Sequence, residues 1–73
     1  MAKPSVGFGI IGVGMIAEFH AQAIHAIEGA HLVASYSRND SSLTEFAQRH
    51  GGGTYTDIGE FLARDDLDIV AIC

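Results

Sequence analysis

Gly12-Val13-Gly14-Met15-Ile16-Ala17 brings three small residues together at a spacing that suits an anion. The apolar run Val6-Gly7-Phe8-Gly9-Ile10-Ile11 precedes it, and a helical pattern from Met15 to about Ile27 follows. In that setting G-x-G-x-x-G/A binds the pyrophosphate of a dinucleotide. Gly12 permits a tight turn out of the strand. Gly14 has no side chain, so backbone can approach the phosphates. Ala17 lets the helix lie close on the strand. The unpaired N–H groups of the first turn, at the positive end of the helix dipole, would face the anion. Met15 and Ile16 join the two glycines in this cradle.

A second chemical position follows from the first. In such a motif the residue that reads the adenosine ribose lies about 20 residues on, at the end of the second strand. Counting from Ala17 reaches Ser37, with Arg38 next to it. An acid at this position would accept from both ribose hydroxyls. Ser37 is neutral, and the Arg38 guanidinium suits a 2′-phosphate and the adenine face. The pair therefore favours NADP over NAD. Asp40 is the counterweight, since a shift of the loop would bring a carboxylate towards the ribose.

The elements that must hold these residues alternate. The first strand is Val6 to Ile11. The first helix is expected to bury Ile16, Ala17, His20, Ala23, Ile24 and Ile27 as one stripe, with Gly29 as its C-terminal cap. His31 to Ser37 reads as the second strand and Arg38 to Ser41 as a polar loop. The second helix is expected from about Leu43 to His50, opened by a Ser42–Glu45 capping box, with Leu43, Phe46 and Ala47 on its apolar side. Gly51-Gly52-Gly53 stops it. Thr54 to Thr56 is a short strand, and Asp57 with Glu60 opens a short helix running to Arg64. Asp65 to Asp68 is a solvated turn. Ile69 to Cys73, unbroken and apolar, reads as a central strand buried on both faces. The order is β-α-β-α-β-α-β, the beginning of an α/β, Rossmann-type doubly wound parallel sheet.

Composition narrows the partners. The chain has 73 residues, 48% hydrophobic and 18% charged, with nine acidic residues against four basic and a net charge of −5. That balance argues against nucleic acid or an anionic membrane surface. No apolar run is long enough to span a bilayer. The N-terminus lacks the apolar segment of a signal peptide, and a single cysteine suits a reducing compartment, so a cytoplasmic protein is expected. A buried strand as the last element would leave apolar surface uncovered. The expectation is an N-terminal piece of a longer polypeptide.

Other chemistry is poorly served. There is no Gly-Lys-Ser/Thr of a Walker loop. The first strand does not close on an acid, as it often does in a methyltransferase. An FAD-binding domain stays open, although its ribose position normally carries an acid. His20 and His25 are five apart and do not share a helix face, so no metal site is expected from them. His31 and His50 sit at element ends, where exposure is the default. Cys73 is read as a buried small hydrophobe, or as lying at the mouth of the cofactor cleft, without a basic partner to activate it.

Gly9 to Ala17, followed by His20, resembles the opening of the Gfo/Idh/MocA family, the relatives of glucose–fructose oxidoreductase and inositol dehydrogenase. Leu32-Val33-Ala34, Tyr55-Thr56-Asp57 and Asp65 to Ile72 agree with it. The resemblance covers Ser5 to Cys73 and a minor fraction of a full member. It implies a Rossmann domain followed by a C-terminal α/β domain. It also implies hydride transfer between a nicotinamide cofactor and a sugar, cyclitol or related hydroxy compound, and association into homo-oligomers through the second domain. The family's Glu-Lys-Pro lysine lies outside these residues, and Lys3 has no claim to its role. No catalytic residue is therefore assigned to this chain. The alternative from another class is a non-catalytic dinucleotide-binding sensor or scaffold module.

Overall fold

The computed structural model describes residues 5–73, so Lys3 lies outside the described residues. The elements are β1 (Val6–Ile11), α1 (Met15–Ala26), β2 (Ala30–Tyr36), α2 (Asp40–His50), β3 (Gly53–Tyr55), α3 (Ile58–Leu62) and β4 (Ile69–Ile72). The four strands form one parallel sheet in the order β3-β2-β1-β4. This is a Rossmann-like sheet with alternating helices, as the pattern of the sequence implies.

The sheet runs with a bulge. Phe8 pairs with Leu32 and Gly9 with Ala34, so Val33 is the extra residue on β2. Beyond it Ile10 faces Ser35 and Ile11 faces Tyr36. Ile10, Leu32, Ala17, Ala21, Ile24 and Phe46 form the main core, which joins α1 and α2 to one face of the sheet. Alternation places Gly9 on the opposite face from Ile10. A Cβ on Gly9 would lie 2.5 Å from Leu67 Cδ1 and 2.7 Å from Phe61 Cζ, so α3 and the following turn press directly on the strand there. Phe61 is fully buried, with Tyr36 and Tyr55 ring centroids each 6.1 Å away. Ser35 is buried, and its hydroxyl has no partner among the described residues, which typically costs about 1–3 kcal/mol.

Several expectations are corrected. The buried stripe of α1 is Ala17, Ala21 and Ile24, while Ile16, His20, Ala23 and Ile27 are exposed. Small residues take the inner face because the helix lies close on the sheet. Ile27, not Gly29, caps α1, its N–H donating to the Ile24 carbonyl. α2 starts at Asp40 rather than Leu43, because Asn39 Oδ1 accepts from the Ser42 N–H and supplies the cap in place of the Ser42–Glu45 box. β4 lies at the sheet edge in this chain, with Ile69 and Ile72 exposed, and Cys73 is exposed too. The acidic turn is solvated as expected, with Asp65, Asp66 and Asp68 exposed, but it is also pinned. Asp68 Oδ2 accepts from the Gly7 N–H at 2.8 Å, and the Asp68 N–H donates to the Gly7 carbonyl at 2.8 Å, fixing the start of β4 on β1. Asp66 takes two 2.7 Å bonds from the Arg64 guanidinium, which holds its carboxyl below the usual carboxylate range.

Candidate functional site

β1 and β2 end side by side, and the glycine turn and the Ser37 turn leave from those ends. A groove of about 460 Å³ runs between them, lined by Ile11, Gly12, Tyr36, Ser37, Arg38 and Asn39. The sequence-assigned positions Gly12, Ser37 and Arg38 are therefore brought together. Gly14, Met15 and Ile16 continue from Gly12 around the start of α1.

Gly12 has φ +94°, a conformation that L side chains rarely adopt. Its N–H donates to the Tyr36 carbonyl at 2.8 Å, tying the turn to the end of β2. The Cys73 N–H donates to the Ile11 carbonyl at 2.9 Å, and a Cβ on Gly12 would come within 3.1 Å of the Cys73 carbonyl oxygen. The turn is thus closed on both sides by backbone. Cys73 contributes its backbone here. What shielding its thiol has pushes the pKa up, away from thiolate.

Gly14 is the N-cap residue of α1 and offers no side-chain cap. A Cβ there would meet nothing within 4 Å. The space in front of the helix start is open, and the early N–H groups of α1 have no intrahelical acceptors. Met15 and Ile16 are exposed, and their apolar side chains leave only backbone N–H groups to offer an anion. An open helix start of this kind has room for an anion on its backbone N–H groups.

The second turn is built by its own hydrogen bonds. The Ser37 N–H donates to the Tyr55 carbonyl at 3.2 Å, and Ser37 Oγ accepts from the Asn39 N–H at 3.1 Å. The Ser37 hydroxyl proton stays available to a ligand. Asn39 is committed to α2, accepting from Ser41 Oγ and the Ser42 N–H, each at 3.1 Å. Arg38 is exposed and makes no ion pair among the described residues. Asp40 faces a neighbouring groove of about 960 Å³, with Arg38, Asn39, Ser41, Thr44, Glu45 and Gln48, and does not line the groove that holds Ser37.

One cluster has no local signal in the sequence. Glu18 of α1 meets Arg49 and His50 at the end of α2, and those contacts hold its carboxyl below the ordinary value of 4.5, Arg49 contributing most. His50, expected at the surface, has a side chain only 9% exposed. The partners are more than 30 residues apart, which is why spacing along one helix does not reveal them.

Residues 6–73 match the model of the Gfo/Idh/MocA family, described as an oxidoreductase family with an NAD-binding Rossmann fold. The chain belongs to this family. Glucose-6-phosphate 3-dehydrogenase of Bacillus subtilis is 36% identical over 63 residues, covering 86% of this chain and 18% of that protein. The 3-ketoreductase KijD10 of Actinomadura kijaniata, solved with NADP and TDP-benzene, superposes with a TM-score of 0.82 at 30% identity. That match covers 90% of this chain and 21% of KijD10. GenD2 from gentamicin A biosynthesis, solved with NAD, superposes with a TM-score of 0.92 at 25% identity, covering 97% of this chain and 20% of GenD2. The 73 residues span about a fifth of the length of the curated relatives they match. Gfo/Idh/MocA neighbours thus include complexes with either nicotinamide dinucleotide. No helix among the described residues is long and apolar enough to cross a membrane.

Proposed function

We propose that these residues form the cofactor-binding part of an NADP-dependent oxidoreductase that moves a hydride to or from a sugar, cyclitol or related hydroxy compound. The observation that carries the cofactor choice is the Ser37–Arg38 edge of the groove, with a free guanidinium and no carboxylate in its lining. Gly12, Gly14, Met15 and Ile16 would hold the pyrophosphate through backbone N–H groups. Ser37 would donate its hydroxyl proton to a 2′-phosphate, and Arg38 would pair with it and lie against the adenine. A carboxylate at the Ser37 position would instead repel that phosphate.

The bound nicotinamide supplies the carbon that gives or takes the hydride. The chain's own part is to bind and orient, and the group that moves the proton comes from outside these 73 residues. The sugar-type substrate is supported by the relatives, among them a glucose-6-phosphate 3-dehydrogenase and a 3-ketoreductase.

The test is cofactor titration of the full-length protein. NADPH is expected to bind more tightly than NADH. Arg38→Gln is expected to weaken NADPH by about 10- to 100-fold, the worth of a charge-assisted contact to phosphate, and to leave NADH within about twofold. Tighter NADH binding by the unaltered protein refutes the NADP assignment. NADPH-dependent reduction of a panel of sugar and cyclitol ketones then separates an enzyme from a non-catalytic module.

A further inference from the structure

The Ser37 side chain is held from the helix that follows it. Its Oγ accepts from the Asn39 N–H at 3.1 Å and has no other partner among the described residues. Backbone bonds fix the main chain at this edge: the Gly12 N–H donates to the Tyr36 carbonyl and the Ser37 N–H to the Tyr55 carbonyl. Neither bond reaches Oγ, so both leave Ser37 χ1 to choose among about three staggered wells. The Asn39 N–H makes that choice.

Asn39 owes the aim of its N–H to its own side chain. Oδ1 accepts from the Ser42 N–H and from Ser41 Oγ, each at 3.1 Å, and the Asn39 carbonyl accepts from the Leu43 N–H at 3.1 Å. These bonds start α2 at Asp40 and leave Asn39 extended, with φ −100° and ψ 104°. The sequence offers this helix a second start. Ser42 and Glu45 have capping-box spacing, and a helix begun there would release the turn before it, and with it the bond to Ser37 Oγ. The Asn39 cap selects the start that keeps the bond. Ser37, Arg38 and Asn39 all line the same groove.

Building on the NADP reading above, we propose that Asn39 is a positioning residue for the 2′-phosphate: by capping α2 it sets the Ser37 hydroxyl before the ligand arrives. The Asn39 N–H occupies one lone pair of Oγ. The hydroxyl proton cannot point back at that donor and is left for the phosphate. A preset rotamer saves ordering otherwise done on binding, at most about threefold for a choice among three wells. The N–H also polarises the hydroxyl it donates to, which strengthens the bond that the hydroxyl makes in turn. NADH asks less of this donor, because its ribose carries a neutral hydroxyl and the bond to a charged oxygen is the stronger one. Arg38 is exposed and reaches a ligand without this bond. The Asn39 cap therefore acts on NADPH, and acts through Ser37.

The experiment measures NADPH and NADH dissociation constants of the full-length protein at one pH and salt concentration. Wild type is compared with Asn39→Ala, Asn39→Ser, Ser37→Ala and the double variant Ser37→Ala/Asn39→Ala. Asn39→Ala is expected to lower the preference for NADPH about three- to tenfold and to leave NADH within about twofold. Asn39→Ser keeps a capping oxygen and should restore the preference to within about twofold of wild type. In the Ser37→Ala background, Asn39→Ala should change the preference no further, since the group it positions is gone. Asn39→Gly, which costs the helix start less, stands in if Asn39→Ala does not fold, and should move the preference in the same direction. An unchanged preference in these variants overturns the proposal. So does an equal loss for both dinucleotides, which marks a structural role alone. A full Asn39→Ala effect in the absence of the Ser37 hydroxyl overturns it as well. Tighter NADH binding by wild type overturns the NADP reading itself, and this proposal with it.

Discussion

Gly12 and Gly14 stand two residues apart and are needed for different reasons. At Gly12 the backbone demands it: φ is +94°, and a Cβ would press on the Cys73 carbonyl oxygen. Gly12→Ala is expected to cost about 1–2 kcal/mol, seen as a lower thermal midpoint of the full-length protein. At Gly14 the backbone is ordinary, with φ −82°, and a Cβ meets only open space. Gly14→Ala should cost less than about 1 kcal/mol of stability. Its methyl would nevertheless occupy the approach of the pyrophosphate, so dinucleotide affinity should fall about tenfold or more, as expected when donors lose their close approach. A Gly14→Ala protein that binds dinucleotide like wild type would show that the anion sits elsewhere. Both glycines are plain in the sequence. Which of them the backbone itself requires is visible only once its surroundings are placed.

At the scale of elements, the start of α2 offers a direct comparison of two caps. Asn39 accepts from the Ser42 N–H, and Ser37 Oγ holds the Asn39 N–H in turn. Ser42 with Glu45 has the spacing of a capping box yet lies inside the helix. Asn39→Ala is expected to cost about 1 kcal/mol and Ser42→Ala less than about 0.5 kcal/mol in a denaturant titration. The reverse order would restore the later start. The order and type of the elements were legible because strands and helices carry different apolar periods and glycines or capping residues mark most joints. The inner face of α1 was legible only in part: Ala17 and Ile24 are buried as expected, but Ile16 and Ile27 outrank Ala21 in hydropathy, whereas close packing on the sheet selects the alanine. The Glu18–His50 contact was illegible for another reason: it depends on how two helices cross. Its response to acid has a defined sign, set by Glu18. Glu18 titrates below its ordinary 4.5, so its pairing stabilises the fold fully above that value and is lost as pH falls through the lowered one.

Across the whole molecule, apolar surface is left on the sheet edge and on α1. Phe19 is 62% exposed and Ile72 79%, and Met15, Ile16, Ile27 and Ile69 are exposed with them. The unbroken run Ile69 to Ile72 has the composition of a strand covered on both faces. Among the described residues its outer edge has no neighbouring strand. An uncovered apolar edge pairs readily with another chain, and a chain of this length has little core to oppose it. The 73-residue polypeptide expressed by itself is therefore expected to self-associate, sedimenting above its 7.7 kDa monomer mass at about 50 μM, and to bind a hydrophobic dye. Phe19→Lys combined with Ile72→Lys should shift it towards monomer and reduce dye binding, since both changes put charge on exposed positions and neither touches the buried core. A wild-type chain that sediments as a 7.7 kDa monomer without binding dye would mean that β4 folds back or that α1 turns its apolar side inward. Either rearrangement would also displace the glycine turn, because Cys73 and Tyr36 both hydrogen-bond to it through backbone.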